Sequence, residues 1–161
     1  MMNIVSRLFA RSEPTLSDAG PRDAAAIAVL HATSFQRGWS EQEIERMLSD
    51  RNVVAHRATV GQTLTGFIFS RLAAGEAEIL SVAVSPVRRG RGVARALLNL
   101  HMRRLAGLGT RAVFLEVGKD NPPALSLYRR AGFREVGQRP NYYQQGRTSP
   151  VTAVVMRRDL M

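Results

Sequence analysis

A basic, glycine-rich turn is the segment whose residue types point most clearly to chemistry. Residues 88–95 read Arg-Arg-Gly-Arg-Gly-Val-Ala-Arg, between an apolar run that ends at Pro86 and a helical pattern that opens near Ala94. The first turn of a helix has unpaired backbone N–H groups and a partial positive charge, so it binds phosphate oxygens well. Gly90 and Gly92 let the backbone approach a ligand closely, and the arginines add positive potential. The turn therefore predicts an anion-binding cradle, although a plain surface turn has a similar composition.

A single carboxylate stands in an otherwise apolar segment further along the chain. Residues 111–117 read Arg-Ala-Val-Phe-Leu-Glu-Val, a run that alternates too little for a half-exposed strand and predicts a buried central one. Because side chains alternate along a strand, Glu116 shares a face with Ala112 and Phe114. The carboxylate therefore projects either into a cleft, where it is available for chemistry, or into solvent.

Helices and strands alternate around these two segments. Strand patterns cover residues 15–19, 53–59, 64–72, 77–84, 111–117, 133–136 and 151–156. Helical patterns begin after Pro21, at the Ser40/Glu43 capping box, at Gly92 and at the Asn121 cap, and the last of them ends before Gly132. This order predicts an α/β (α+β) fold with a single mixed sheet and helices on both faces.

Composition restricts the classes of protein and of site. The chain has 161 residues, 45% hydrophobic and 22% charged, which suits one globular domain. It has no cysteine, and His31, His56 and His101 are scattered, so we expect no disulfide, no thiolate nucleophile and no metal. No apolar run approaches the ~20 residues of a membrane span, and we expect a cytoplasmic protein. Residues 1–12 lack the continuous apolar region of a signal peptide, which predicts a flexible extension before a single domain over residues 13–161.

The formal net charge of +10 indicates an anionic partner, either a nucleic acid or a phosphorylated cofactor. The basic residues are spread along the chain, and aromatic residues make up only 6% of it, which leaves little surface for base stacking. A dedicated nucleic-acid ligand is therefore disfavoured, and a phosphorylated cofactor is favoured.

Several motifs, taken in order, resemble the Gcn5-related N-acetyltransferase (GNAT) superfamily from Thr15 to Leu160. They are Ser81-Val82-Ala83-Val84-Ser85-Pro86, Arg89-x-x-Gly92-x-Ala94, Leu115-Glu116-Val117, Asn121, Ala124, Leu127-Tyr128 and Ala131-Gly132-Phe133. The resemblance implies a mostly antiparallel GNAT sheet whose central strands splay apart at an acetyl-CoA site.

Three features resemble the RimI-type members of this superfamily, which acetylate the N-terminal alanine of a small-subunit ribosomal protein. They are Trp39-Ser40-Glu41, Leu115-Glu116-Val117 ahead of the tyrosine, and Asn141-Tyr142-Tyr143 in a late loop. The resemblance implies transfer of an acetyl group to the α-amine of a protein N-terminus, with alanine as first residue.

The resemblance also assigns the residues that bind acetyl-CoA. The strand backbone at Val82, Ala83 and Val84 is expected to pair with the pantetheine arm as an added strand would. The pyrophosphate is expected on the main-chain N–H groups of the cradle, which comprises Arg89, Gly90, Arg91, Gly92, Val93, Ala94 and Arg95. Asn121 is expected to contact the cofactor arm, although a plain helix N-cap explains the same residue.

The chemistry of acetyl transfer needs a base and an acid. An α-amine has an ordinary pKa of ~7.7 to 8.0 and attacks a thioester only when neutral, so a base must take its proton. By resemblance Glu116 is that base, and Tyr128, which also borders the cofactor, donates a proton to the departing CoA thiolate. A tyrosine that merely packs its ring on the sheet is the alternative for Tyr128.

On the acceptor side the resemblance implies that residues 35–39 and 140–147 flank the amine entrance, lined by Trp39, Tyr142 and Tyr143. Loop aromatics are also common packing anchors, and this alternative stays open. An acetyltransferase for a small amine or an antibiotic would share the cofactor residues and differ in these loops. A non-catalytic CoA- or RNA-binding module would lack turnover, and Glu116 and Tyr128 argue against it. The expected assembly is a monomer or a weak dimer.

Overall fold

The computed structural model describes residues 13–35, 38–142 and 150–161, which form one seven-stranded sheet with α-helices on both faces. The strands are β1 Thr15–Asp18, β2 Val53–Val60, β3 Thr63–Ala73, β4 Glu76–Val84, β5 Ala112–Gly118, β6 Arg134–Tyr142 and β7 Val151–Asp159. The α-helices are α1 Ala24–Ser34, α2 Glu41–Ser49, α3 Val93–Gly107 and α4 Pro122–Arg130, with short 3-10 turns at Pro21–Asp23 and Pro86–Arg88.

The two central strands of the sheet separate along their length. The strand order is β1-β2-β3-β4-β5-β7-β6, and every neighbouring pair is antiparallel except β4 and β5, which run parallel. These two strands pair only from Glu76 opposite Ala112 to Glu78 opposite Phe114, and no register pair joins the rest of the two described strands. The predicted fold class, a mixed and mostly antiparallel sheet with splayed central strands, is confirmed.

Hydrophobic clusters lie on both faces of the sheet, as the alternation in β3 requires. Phe67 and Phe69 face α1 and α2, whose buried side chains include Ile27 and Ile44. The intervening Ile68 faces the opposite cluster, which α3 and α4 cover with β4, β5 and β7. The buried members of this second cluster include Leu97, Leu98, Leu105, Leu115, Leu125, Val154 and Met156. The splayed strands are therefore covered by different helices on their two faces.

Three buried polar residues, His56, His101 and Ser70, form a chain beside the second cluster that ends at the exposed Asp18. The Nδ1 atoms of His56 in β2 and His101 in α3 are 2.8 Å apart, and the Nε2 atom of His101 is 2.6 Å from Ser70 Oγ. The Nε2 atom of His56 lies 3.4 Å from a carboxylate oxygen of Asp18. One proton arrangement fits these contacts without a charged histidine: Ser70 donates to His101 Nε2, His101 Nδ1 donates to His56 Nδ1, and the Nε2 proton of His56 faces the Asp18 carboxylate. Both imidazoles are neutral in this arrangement.

The last part of β6 differs from the sequence prediction. A strand was expected over residues 133–136, with residues 140–147 in a loop, but β6 continues to Tyr142. The strand lies at the edge of the sheet, where Pro140 loses no ladder hydrogen bond, and a register shift between Arg139 and Tyr142 accommodates Asn141 at φ +54°. Pro140, Asn141 and Tyr142 are therefore in a strand, while residues 143–147 lie outside the described residues.

Two absences apply to the described residues alone. Within them no helix is both long and apolar enough to cross a membrane. Nor do these residues include a group of three or more His, Asp or Glu side chains placed to hold a metal ion. Residues 1–12 lie outside the described ranges, so the flexible extension stays a prediction. The single domain over residues 13–161 and the cytoplasmic location also stay predictions.

Candidate active site

The gap between β4 and β5 exposes one backbone edge of β4. A β-bulge begins the gap: Phe69 of β3 pairs with Ser81 and Ser70 pairs with Ile79, so Leu80 is an extra residue. Beyond the bulge, residues 82–84 pair with β3 on one side and have no β5 partner on the other. An extended ligand can add to such an edge through main-chain hydrogen bonds. This edge carries Val82, Ala83 and Val84, the residues predicted for pantetheine.

The glycine cradle follows directly at the end of β4. Gly90 and Gly92 have φ of +73° and +82°, values that glycine adopts without strain, and a Cβ built at either position meets no atom within 4 Å. Gly92 is the N-cap of α3 and offers no side-chain cap, so the N–H groups of the first turn, at Val93 to Arg95, have no capping side chain. The turn is open toward a ligand and offers backbone donors at a helix N-terminus, as an anion site requires.

Arg89 connects β4 to α1. Its Nε donates to the carbonyl of Val84 at 3.1 Å and its Nη2 donates to Ser34 Oγ at 3.3 Å. The guanidinium therefore holds the carboxyl end of α1 against the end of β4. This contact places the segment that follows α1 at the same end of the sheet as the gap.

Glu116 lies on the face of β5 turned away from the α3 and α4 cluster, as its predicted alternation with Phe114 requires. Its side chain is 26% exposed, and one carboxylate oxygen is 3.2 Å from a guanidinium nitrogen of Arg139. Arg139 belongs to β6 and reaches Glu116 across β7, whose Val155 is the register partner of Glu116. Arg139 was not predicted from the sequence, because no local pattern encodes the strand order that brings β6 near β5.

Tyr128 lies on the opposite side of the sheet from Glu116. Its ring packs edge-on against Phe133 at a centroid distance of 5.8 Å and belongs to the α3 and α4 cluster. Burial raises the pKa of Tyr128 to about 12, so the hydroxyl keeps its proton throughout the physiological range. The packing alternative and a donor role are compatible, since the ring is anchored while the hydroxyl remains protonated.

Asn121 and Trp39 have structural contacts of their own, and their roles in binding the cofactor and the acceptor stay predictions. Asn121 is exposed and its Oδ1 accepts a hydrogen bond from Ala124 N–H at 3.3 Å, so it caps α4. Trp39 is partly buried, and its ring packs on His31 at a centroid distance of 4.6 Å and on Phe69 at 5.7 Å. The side chain of Tyr142 and all of Tyr143 lie outside the described part of the chain.

Two further polar residues near the gap were missed by the sequence analysis. His31 accepts a hydrogen bond from Trp39, and Ser81, on the strand that borders the gap, has a buried hydroxyl with no hydrogen-bond partner among the described residues. A single serine in an apolar strand and a single histidine in a helix gave no pattern that would have identified them.

Comparisons with known proteins agree with this geometry. The sequence profile of the acetyltransferase (GNAT) family matches residues 24–133. The N-alpha-acetyltransferase RimI of Mycobacterium tuberculosis is 37% identical over 94% of this chain and 97% of its own length. An uncharacterized protein of Mycobacterium leprae, ML0378, is 35% identical over 94% of this chain, and the chain spans only 43% of that protein.

A solved structure gives the same topology. The ribosomal-protein-S18-alanine N-acetyltransferase of Escherichia coli superposes with a TM-score of 0.84 at 25% identity, covering 91% of this chain and 94% of that one. More distant neighbours of the same fold were solved with acetyl-CoA, among them Arabidopsis thaliana NAA60, at 20% identity and a TM-score of 0.81 over 91% of this chain and 98% of that one.

Proposed function

This chain belongs to the acetyltransferase (GNAT) family, and we propose that it acetylates the N-terminal α-amine of a protein that begins with alanine, a small-subunit ribosomal protein. It is an acetyl-CoA-dependent N-acetyltransferase. The observation that carries the proposal is the gap between β4 and β5, with a cradle of backbone donors at its end and a carboxylate on its far strand. The 37% identity to a RimI enzyme over nearly the whole of both chains supports an N-terminal amine as acceptor.

The residues around the gap fit acetyl-CoA. The positive φ of Gly90 and Gly92 leaves the cradle free of Cβ atoms, so backbone N–H groups at the start of α3 can reach the pyrophosphate. The unpaired edge at Val82 to Val84 suits the amide groups of pantetheine. The net charge of +10 favours encounter with a phosphorylated cosubstrate.

We propose that Glu116 and Tyr128 act from opposite faces of the sheet. Glu116 takes a proton from the ammonium form of the acceptor, whose neutral nitrogen then attacks the thioester carbonyl and forms the C–N bond. The second proton that the nitrogen must lose leaves for solvent water as the tetrahedral intermediate collapses to the amide. The C–S bond breaks toward the other face, where Tyr128 lies. A thiol has an ordinary pKa of ~8.5 and Tyr128 has a pKa of about 12, so Tyr128 stabilises the departing thiolate mainly as a hydrogen-bond donor. The gap holds the amine and the thioester in line, and this alignment supplies the rest of the rate enhancement.

The ion pair with Arg139 occupies the Glu116 carboxylate before the acceptor arrives. Arg139 is 57% exposed and approaches from β6, whose end carries Asn141 and Tyr142. In this proposal an incoming ammonium group competes with the guanidinium for the same carboxylate. An acceptor that enters beside β6 therefore meets the base directly.

A competition among acceptors tests the proposed substrate. The enzyme with acetyl-CoA is given a peptide copied from the amino terminus of the host's own small-subunit ribosomal protein, beginning with alanine. The same peptide with its α-amine blocked and one lysine free, and a panel of small amines including aminoglycosides, are the matched alternatives. We expect acetylation of the open N-terminus with a kcat/KM at least tenfold above the others. Preference for lysine or for a small amine would contradict the proposed substrate while leaving the acetyltransferase activity in place.

A further inference from the structure

One aromatic cluster joins the end of α1 to the segment that leads into α2. The imidazole of His31 is buried, and it stacks on Phe35 at a ring distance of 4.3 Å and on Trp39 at 4.6 Å. We call these three rings the His31 clasp. Gly38 also lies close to α1, because a Cβ at that position would come within 3.1 Å of the Ala32 backbone. The chain is therefore held against α1 at two successive residues, 38 and 39.

The clasp contains a hydrogen bond that depends on protonation. The backbone N–H of Trp39 donates to His31 Nδ1 at 3.2 Å. A ring nitrogen accepts a hydrogen bond only when it carries no proton, so His31 is neutral, with its proton on Nε2. Desolvation by burial lowers the pKa of His31, which favours the same form. Among the described residues, the rings that face His31 are Phe35 at the end of α1, Trp39 of the following segment and Phe67 of β3 at 6.3 Å, and none of these three is charged or titratable near neutral pH.

The clasp adjoins the gap on the face opposite the cradle helix. Arg89 fixes Ser34, three residues after His31, to the carbonyl of Val84 at the end of β4. Phe67, which also contacts His31, is the register partner of Ala83 on the strand that borders the gap. The clasp thus holds the chain on the side from which Glu116 projects.

We propose that His31 is a positioning residue for the acceptor: through Nδ1 it fixes the backbone at Trp39 and so holds the segment beside the amine entrance. This inference rests on the proposed function, because the segment borders the amine entrance only if Glu116, which projects on the same side, is the base. Neutral His31 holds the segment in place, and a protonated His31 releases it. Affinity for the acceptor then falls in acid, while binding of acetyl-CoA on the opposite face does not change.

Two substitutions separate the hydrogen bond from the ring packing. His31→Phe keeps a flat ring between Phe35 and Trp39 and removes the acceptor atom, whereas His31→Asn keeps an acceptor near the place of Nδ1. For His31→Phe we expect the KM for the Ala-initiated peptide to rise about fivefold, as the loss of one hydrogen bond implies. Its kcat at saturation and its KM for acetyl-CoA should stay within twofold. His31→Asn should restore most of the peptide KM. Gly38→Ala, which pushes the segment off Ala32, should raise the peptide KM in the same way.

Trp39 is the single tryptophan of the chain, so its fluorescence reports the clasp without any turnover. In the wild-type protein the emission should change on acidification with a midpoint below 6.5, and His31→Phe should abolish that transition. A midpoint at or above 6.5, or a transition that survives in His31→Phe while circular dichroism shows the protein still folded, would overturn the proposal. So would a His31→Phe variant that acetylates the peptide with wild-type KM. If the wild-type enzyme leaves the peptide unmodified, the proposed substrate fails, and the fluorescence titration still tests the clasp.

Discussion

The buried histidine pair makes the stability of this protein sensitive to mild acid. His101 is fully buried in α3, and burial, reinforced by the neighbouring His56, lowers its pKa from 6.5 to about 3. The unfolded chain binds a proton at this residue below pH 6.5, whereas the folded protein does not until the pH nears 3. The stability that His101 contributes is therefore intact above pH 6.5 and is lost as the pH falls through the window from 6.5 to about 3.

The size of the effect follows from the two pKa values of His101. Each pH unit by which the solution is acidified inside this window lowers the free energy of unfolding by up to about 1.4 kcal/mol. Between pH 7 and pH 5 the free energy of unfolding should fall by about 2 kcal/mol from His101 alone. Any folded-state pKa well below 5 gives the same loss, because the folded imidazole is then neutral at pH 5. Burial also lowers the pKa of His56 and of His31, so these residues add to the loss in the same direction. The whole free energy of unfolding of a typical domain is only about 5 to 15 kcal/mol.

Urea denaturation at pH 7 and at pH 5 measures the effect. His101→Gln retains a donor and an acceptor but cannot titrate, so its difference in unfolding free energy between the two pH values should be smaller than the wild type's by about 2 kcal/mol. Leu97→Ala, in the same helix and equally buried, is the matched control for a general loss of stability and should keep the wild-type pH difference. If His101→Gln keeps the full wild-type pH difference, the neutral buried imidazole inferred from the contacts with His56 and Ser70 is wrong.

Three further substitutions test separate parts of the account. Gly92→Asp should raise the KM for acetyl-CoA by about tenfold or more. Gly92→Asn, which has the same shape and no charge, separates the effect of the charge from that of the added side chain, and a wild-type KM in Gly92→Asp would remove the pyrophosphate from this turn. Tyr128→Phe should lower kcat about tenfold or more with acetyl-CoA binding retained, and loss of the folded state instead would leave only the packing role. Ser81→Ala removes a buried hydroxyl that has no partner in the described residues, so the unfolding free energy should stay unchanged or rise by up to about 1 kcal/mol. Thr65→Val, which removes a hydroxyl that donates to the Ala58 carbonyl at 3.1 Å, should lose about 1 kcal/mol, and an equal loss in Ser81→Ala would mean that Ser81 has a partner.

Features encoded by neighbouring residues were predictable from the sequence. The Ser40/Glu43 capping box forms with both of its hydrogen bonds, at 2.9 and 3.1 Å, because a cap needs only residues one turn apart. The Asn121 cap and the left-handed Gly92 at the start of α3 are local in the same sense. The splayed strands followed from the family resemblance and not from any pattern in β4 or β5 themselves.

Contacts between distant segments were not predictable. Arg139 meets Glu116 only because β7 inserts between β5 and β6, and His56 meets His101 across 45 residues of sequence. Residues 140–142 were assigned to a loop by the family resemblance, and they lie in an edge strand with a register shift that tolerates Pro140. In each case the deciding factor was the arrangement of distant strands and helices, which local sequence patterns do not encode.

The pH dependence of Glu116→Gln tests the central claim most directly. The substitution keeps the shape of the side chain and removes the proton acceptor, and Arg139→Gln breaks the same ion pair while keeping the base. With the Ala-initiated peptide at pH 7 we predict that kcat/KM falls roughly 10²-fold in Glu116→Gln and changes little in Arg139→Gln. Part of the Glu116→Gln loss should return near pH 9, where the α-amine is already neutral. A defect of the same size at every pH, or an equal defect in Arg139→Gln, would contradict Glu116 as the general base.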